Sequence, residues 1–359
     1  MKNILLLIFL AGPLALSAQT DTSALSVSFS GYAEPYYGYD FGQPADANRP
    51  GFVYSHNRHN EFNINLAYLK ASVSAARVRG NLALMAGTYA NANLATEPGT
   101  LRNVFEANAG VKLSKKSDLW LDAGIFASHI GFESAIGKDC WTLTRSMVAD
   151  NSPYYESGAK LSYTTADGRW LFSALALNGW QRIQRAPGNS MLSGGWQIQY
   201  KPNSRILLNS SSFFGTDKPD DERRTRVYHN LYGIFQLNDR VGLILGLDTG
   251  WEEPVFKGAD TRFWYTPVLI GKFTLNDRLA IAVRGEYFSD ATGAIIGTGT
   301  ENGFQTFGAS ANLDVQIHRN ALWRVEGKWW NSKDKVFLDA DGLPARSNAV
   351  LTTALAVWF

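Results

Sequence analysis

Polar and apolar side chains alternate along most of this chain, and tight polar turns interrupt the alternation. Leu237-Asn238-Asp239-Arg240 separates two such stretches, 226–236 and 241–251. Leu275-Asn276-Asp277-Arg278 separates 261–274 from 279–290 in the same way. A period of two puts successive side chains on opposite faces of a sheet, so each pair predicts an antiparallel hairpin. Asn-Asp and Asp-Gly pairs supply the chemistry of its turn.

The unit recurs from one end of the chain to the other. Further strands are predicted at 25–39, 61–74, from Arg77 onward, and at 102–113, 118–130, 154–164, 170–180, 192–200 and 205–214. The last ones are 303–317, 322–330 and 346–359. Short turns fall at 114–117, Ala166-Asp167-Gly168, Pro202-Asn203 and His318-Arg319-Asn320. Longer polar segments occupy 40–60, 93–101, 131–152, the stretch around Pro187-Gly188-Asn189, 216–225, 252–260, 290–302 and 331–345. The count is about sixteen strands, with seven tight turns alternating with eight loops. Merging or splitting one hairpin would give fourteen or eighteen.

Three features favour closure within a membrane. Many strands have room for ten or more residues; a tilted spanning strand needs about 9–11, and soluble strands usually have about 5–6. Connections alternate short and long, as in barrels with short periplasmic turns and long extracellular loops. The second face is also too polar for a dry core: Arg324, Glu326 and Lys328 oppose Trp323, Val325 and Trp329. Arg284 and Glu286 likewise oppose Ile281, Val283 and Tyr287. Charges lining a watery lumen cost far less than charges in a packed interior. The expected fold is therefore all-β: a transmembrane up-and-down antiparallel β-barrel, closed so that no edge is exposed.

Composition adds location. The 359 residues carry a formal net charge of +2, which gives no argument for a nucleic-acid partner. Residues 1–18 read as a signal peptide, with Lys2 before an apolar run and small residues at Ser17 and Ala18. Residues 19–359 then form one barrel domain, placed in the cell outer membrane. The single cysteine, Cys140, has no partner for an internal disulfide. Phe359 ends an amphipathic strand with Leu351, Thr353, Leu355 and Val357 on its face, resembling the assembly signal of outer-membrane barrels.

Several short stretches carry a family likeness. They are Gly31-Tyr32-Ala33-Glu34-Pro35-Tyr36-Tyr37, His59-Asn60-Glu61-Phe62-Asn63-Ile64-Asn65-Leu66-Ala67-Tyr68, and Gly131-Phe132-Glu133 followed by Ala149-Asp150-Asn151-Ser152-Pro153-Tyr154-Tyr155-Glu156-Ser157-Gly158. With these the chain resembles β-barrel porins of the OmpL-like type, especially those of the Bacteroidota. The resemblance implies an outer-membrane location in Gram-negative bacteria and a passive channel. It supplies neither a defined substrate nor functional residues. The partners expected are outer-membrane lipid and lipopolysaccharide, the barrel-assembly machinery and small hydrophilic solutes; a homo-oligomer stays open, and no cofactor is expected.

Alternation selects Arg77, Arg79, Glu106, Lys112, Glu156, Lys160, Arg284, Glu286, Arg324, Glu326 and Lys328 as pore-lining. Their mixed signs predict weak charge selectivity. The bland reading is that they pair across strands and brace the wall. Loop 131–152 is the candidate constriction, with Glu133, Asp139, Arg145 and Asp150 projecting into the pore. No His-Glu-x-x-His occurs, and Asp339-Ala340-Asp341-Gly342 lacks a full calcium-loop pattern. Ser128 and His129, adjacent in a strand, should point to opposite faces and so fail to form a catalytic pair. No enzyme is expected. The alternative to a porin is a non-conducting barrel serving structure, adhesion or a protein complex.

Overall fold

In the computed structural model, residues 24–256 and 258–359 are described. The predicted signal peptide, 1–18, lies outside them.

Sixteen strands close into one antiparallel barrel, each hydrogen-bonded to its sequence neighbours. They are β1 (Ser26–Asp40), β2 (Phe62–Ser74), β3 (Val78–Ala86), β4 (Val104–Lys112), β5 (Asp118–Ala127), β6 (Tyr155–Thr164), β7 (Trp170–Leu177) and β8 (Ser193–Asn203). The second half comprises β9 (Ile206–Gly215), β10 (Arg226–Gln236), β11 (Val241–Glu252), β12 (Arg262–Thr274), β13 (Leu279–Asp290), β14 (Phe304–His318), β15 (Ala321–Ser332) and β18 (Ser347–Trp358). Two further strands, β16 (Phe337–Leu338) and β17 (Pro344–Ala345), make a small separate hairpin in the last long loop. Asp339 turns that hairpin by accepting the backbone N–H groups of Asp341 and Leu343.

The first and last barrel strands close the cylinder, with Tyr32 opposite Trp358 and Asp40 opposite Val350. Gly31 and Phe359 exchange two backbone hydrogen bonds at 3.2 and 3.1 Å beside this seam. Seven short turns lie at that end of the barrel and eight longer loops at the other.

The period of two is visible in burial. Along β15 the inner Leu322, Arg324, Glu326, Lys328 and Trp330 are buried, while Trp323 and Trp329 are exposed outward. The outer wall is an apolar band that includes Leu82, Leu84, Leu245, Leu247, Leu269, Val283 and Leu355. Aromatic side chains flank it, with Tyr163, Trp170 and Phe172 near the short turns and Trp251, Phe263 and Trp329 near the long loops. This is the banding of a barrel whose solvent is lipid. No helix among the described residues is long and apolar enough to cross a membrane; the spanning elements are strands.

Strand ends depart from expectation where a tertiary partner intervenes. Arg77, expected inside a strand, lies in the β2–β3 turn, where its Nη2 donates to the Lys112 carbonyl at 3.3 Å. Pro202 and Asn203 belong to β8 rather than to a turn; the register shifts there, which accommodates a residue with no N–H to donate. The loop expected at 93–101 begins earlier, with helix α1 (Thr88–Asn93).

Candidate functional site

The site is built on the inner face of β13, β14 and β15. Alternation brings Arg284 and Glu286, Asn312 and Asp314, and Arg324, Glu326 and Lys328 to the same side. All seven are buried. Their charges compensate one another. Arg324 Nε donates to Asp314, its direct cross-strand partner, at 2.6 Å. Arg284 Nη2 donates to Glu326 at 2.8 Å, and Lys328 Nζ lies 2.7 Å from Glu286. Glu286 crosses the intervening strand at Gly308, where a Cβ would come within 2.8 Å of its side chain. A buried charge is tolerable only when paired and hydrogen-bonded. Every charge in this ladder has an opposite partner, while Arg284 Nε donates and Glu286 Oε1 accepts no hydrogen bond among the described residues.

The ladder's remaining valences grip a loop. Residues 128–154, between β5 and β6, cross the lumen to the opposite wall. They include a short helix, α2 (Met147–Asp150). Arg324 donates to the carbonyls of Gly137 at 2.8 Å and Cys140 at 3.0 Å. Asn312 accepts the Leu143 N–H at 3.1 Å, and Glu326 accepts the Thr144 N–H at 2.5 Å. Arg284 Nη1 donates to the Thr142 hydroxyl and to the Thr144 carbonyl, each at 2.8 Å. Lys328 donates to the Arg145 carbonyl at 2.9 Å, and Glu286 accepts the Met147 N–H at 2.6 Å. Most of these bonds have a charged partner, so each is stronger than an ordinary amide bond.

Four loop residues were expected to project into the pore. Arg145 instead folds back on its own loop, donating to the carbonyls of Ser134, Leu143 and Ala135. Glu133 accepts from the Ser146 backbone and hydroxyl and lies 3.6 Å from Arg284. Asp150 accepts from Ser55 and Tyr154, tying this loop to loop 41–61. Asp139 is the exposed member, paired with its neighbour Lys138. Burial pushes the Glu133 and Asp150 carboxyls above the usual carboxylate range, against the pull of Arg284 and Lys328 respectively. Burial also raises the Cys140 thiol to about 11; that thiol donates to the Ser134 carbonyl.

The other selected charges stand on the opposite wall and, apart from the buried Glu156, are less enclosed. Lys70 pairs with Glu106 at 2.8 Å, Arg79 with Asp122 at 2.7 Å, and Lys112 with Asp118 at 3.1 Å. Side-chain exposure here reaches 39% at Arg79 and 26% at Lys112, against 0–3% for Arg284, Glu286, Glu326 and Lys328. Lys160 lies over the Phe126 ring at 4.7 Å. At these positions the side chains lie on the inner face of the barrel. Alternation could not tell that one half of that face is covered by a loop and the other is not.

Glu156 is buried and occupied. Strand β5 ends at Ala127, so Ser128 and His129 are freed from strand alternation, contrary to the expectation of opposite faces. Both reach Glu156: Ser128 Oγ at 3.2 Å and His129 Nδ1 at 2.9 Å. His129 Nε2 turns away to the Ser212 carbonyl at 2.9 Å. The serine hydroxyl thus meets the carboxylate rather than the imidazole. A second buried cluster was not anticipated: Glu34 accepts from His56 at 2.8 Å, Asn65 at 2.9 Å and the Tyr32 hydroxyl. Glu34 lies on the inner parity of β1, and Tyr32, Glu34 and Asn65 all fall in the stretches that carry the family likeness. No group of His, Cys, Asp and Glu suited to a metal ion occurs among the described residues.

Comparison with known proteins fits this geometry. Residues 26–359 match the model of the family described as beta-barrel porin-2, OmpL-like. The chain belongs to this family. No curated protein matches it in sequence. Among solved structures, an anion-selective porin from Comamonas acidovorans aligns with TM-score 0.61 at 9% identity, over 94% of this chain and 100% of that one. The outer-membrane channel DcaP of Acinetobacter baumannii aligns with TM-score 0.60 at 8% identity, over 94% and 98%. OmpF of Salmonella typhi, solved with daunomycin, aligns with TM-score 0.58 at 10% identity, over 93% and 97%. At such identities the likeness is one of fold: this porin-family chain has the sixteen-strand barrel of outer-membrane channels.

Proposed function

We propose that this porin-family protein is an outer-membrane channel for passive diffusion of small hydrophilic solutes, with loop 128–154 as its constriction. In this reading the short turns face the periplasm and the long loops face outward. Outer-membrane lipid and lipopolysaccharide surround the apolar band, and the barrel-assembly machinery inserts it. The observation that carries the reading is the division of the inner face. A loop held by the β13–β15 ladder takes one side. Charge pairs that stay partly exposed line the other, along β2 to β6. A sixteen-strand cylinder has room for both.

Single-channel recording of the refolded protein in a planar bilayer tests this, first in symmetric salt and then across a salt gradient. Reproducible steps with a small reversal potential are expected. Folded, inserted protein that never conducts would sink the channel reading. The second reading, a non-conducting barrel for structure, adhesion or a complex, is favoured by one feature. Tyr89, Leu94, Tyr154, Tyr155 and Ile183 pack together inside the long-loop end, beside loop 128–154. That cluster occupies lumen a channel would otherwise use.

A further inference from the structure

A cavity of about 830 Å³ lies at the long-loop end, between loops 41–61, 291–303 and 333–346, with Asn151 of loop 128–154 also in its lining. Its size falls in the range of about 300–1,000 Å³ usual for small-molecule sites. Its rim is open to solvent at Asp46, Gly51 and Lys335, which are exposed. Phe52, Phe304, Phe337 and Ile296 form an apolar side. The three rings pack on one another and on Trp330, which fixes that side as a rigid surface.

Asp40 and Asn348 also line the cavity, and both are more than nine-tenths buried. Asn348 Nδ2 donates to Asp40 Oδ1 at 2.7 Å. That leaves Asp40 Oδ2 and Asn348 Oδ1 without a hydrogen-bond partner among the described residues. Leaving buried acceptors unmet is costly, and a native structure that does so usually has a ligand or water for them. The Arg49 guanidinium stands 3.7 Å from Asp40 Oδ2 and compensates its charge, and its own Nε and Nη2 are likewise without hydrogen-bond partners among the described residues. An anion would still meet a carboxylate at this spot, and a cation would meet a carboxylate already neutralised. A neutral hydroxyl donates to both oxygens without either penalty.

We propose that this cavity is a binding site for a neutral saccharide, whose hydroxyls donate to Asp40 and Asn348 while its C–H face lies on the Phe52, Phe304 and Phe337 side. The combination of paired acceptors and an apolar wall discriminates a sugar ring from a purely apolar or a charged compound. The site is independent of whether the lumen conducts.

Isothermal titration of the full-length folded protein in detergent tests it, with maltotriose and cellotriose as neutral probes and spermidine as a cationic one. Saturable heat with at least one trisaccharide and none with spermidine is expected. Asn348→Leu should weaken that binding by about tenfold or more, the worth of one lost hydrogen bond at a buried acceptor. Tyr54→Ala, on the half-exposed part of the lining, keeps the test open should Asn348→Leu fail to fold; it should weaken binding severalfold. The proposal is overturned if neither trisaccharide binds at millimolar concentration, if spermidine competes with the sugar, or if folded Asn348→Leu binds as the parent does. A protein that conducts but binds no sugar loses this inference alone. One that binds sugar but never conducts loses only the channel reading.

Discussion

Arg284 and Glu326 meet at 2.8 Å on the inner wall with neither side chain exposed, although a whole strand separates them. Both also hold Thr144 of the loop that crosses the lumen. The pair therefore joins wall to loop rather than merely wall to wall. Removing one partner leaves the other buried and uncompensated, which costs about 3–5 kcal/mol. Arg284→Met should lower the urea midpoint of barrel unfolding and raise single-channel conductance, because the loop loses three bonds, at the Thr142 hydroxyl and at the Thr144 carbonyl and hydroxyl. A variant as stable as the parent, with unchanged conductance, would show that the pair does not hold the loop.

The loop's attachment can be followed through Cys140, the single cysteine. Its thiol is buried and raised to about 11, so little thiolate exists at neutral pH and the group is shielded as well. Maleimide labelling of the folded protein should be at least about tenfold slower than of the unfolded chain. Arg324→Ala removes the donor to the Cys140 carbonyl and should restore much of the rate. Fast labelling of the parent would mean that the loop does not stay packed.

Acidification should tighten this loop. The Glu133 and Asp150 carboxyls are raised by burial, so the packed loop binds their protons more readily than a released loop would. Stability from such a group is present at low pH and is lost as pH rises through the raised value. The effect falls between that value and the ordinary carboxylate range of about 4. Amide exchange of Thr144 and Met147, corrected for intrinsic rate at each pH, should slow as pH falls from neutral toward the ordinary carboxylate range of about 4. Asp150→Asn should flatten the dependence; an unchanged slope in that variant would remove Asp150 from the account.

The closing seam makes a separate prediction. The Phe359 ring lies where a Cβ on Gly31 would sit, and the two backbones pair. Gly31→Val would have to displace the ring, which is largely exposed and can move. Phe359→Ala removes it outright. If Phe359 serves as an assembly signal, Phe359→Ala should lower the heat-modifiable, folded fraction severalfold, and Gly31→Val should lower it less. Equal yields for all three chains would sever the ring from assembly.

Where turn chemistry closes a strand locally, the sequence was enough. Strand β10 ends and β13 begins at the expected residue because Asn238 and Asn276 each accept backbone N–H groups within their own turns. Inner parity was legible at Arg284, Glu286, Arg324, Glu326 and Lys328 for the same local reason. What those side chains do was not legible. Their partners are backbone groups of residues 137–147, which lie 139 to 187 positions away and carry no pattern of their own. Ser128 and His129 form no pair with each other, as expected, but not because they face opposite ways: the strand stops at Ala127, and both side chains reach Glu156.

Charge selectivity should be weak and slightly anionic. On the uncovered wall, Lys70, Arg79 and Lys112 each have a carboxylate partner, so their fields largely cancel. Lys160 and Lys272 pair with no carboxylate among the described residues; each lies instead over an aromatic ring, Phe126 at 4.7 Å and Trp141 at 5.9 Å. The uncancelled charge along the proposed path is therefore positive, and fixed lumen charge biases which ion enters. Across a salt gradient the reversal potential should have the sign of an anion preference. Lys160→Gln should bring it toward zero, and Lys160→Glu should reverse it. A cation-preferring parent, or a reversal potential indifferent to Lys160→Glu, would place the ion path somewhere other than the β2–β6 wall.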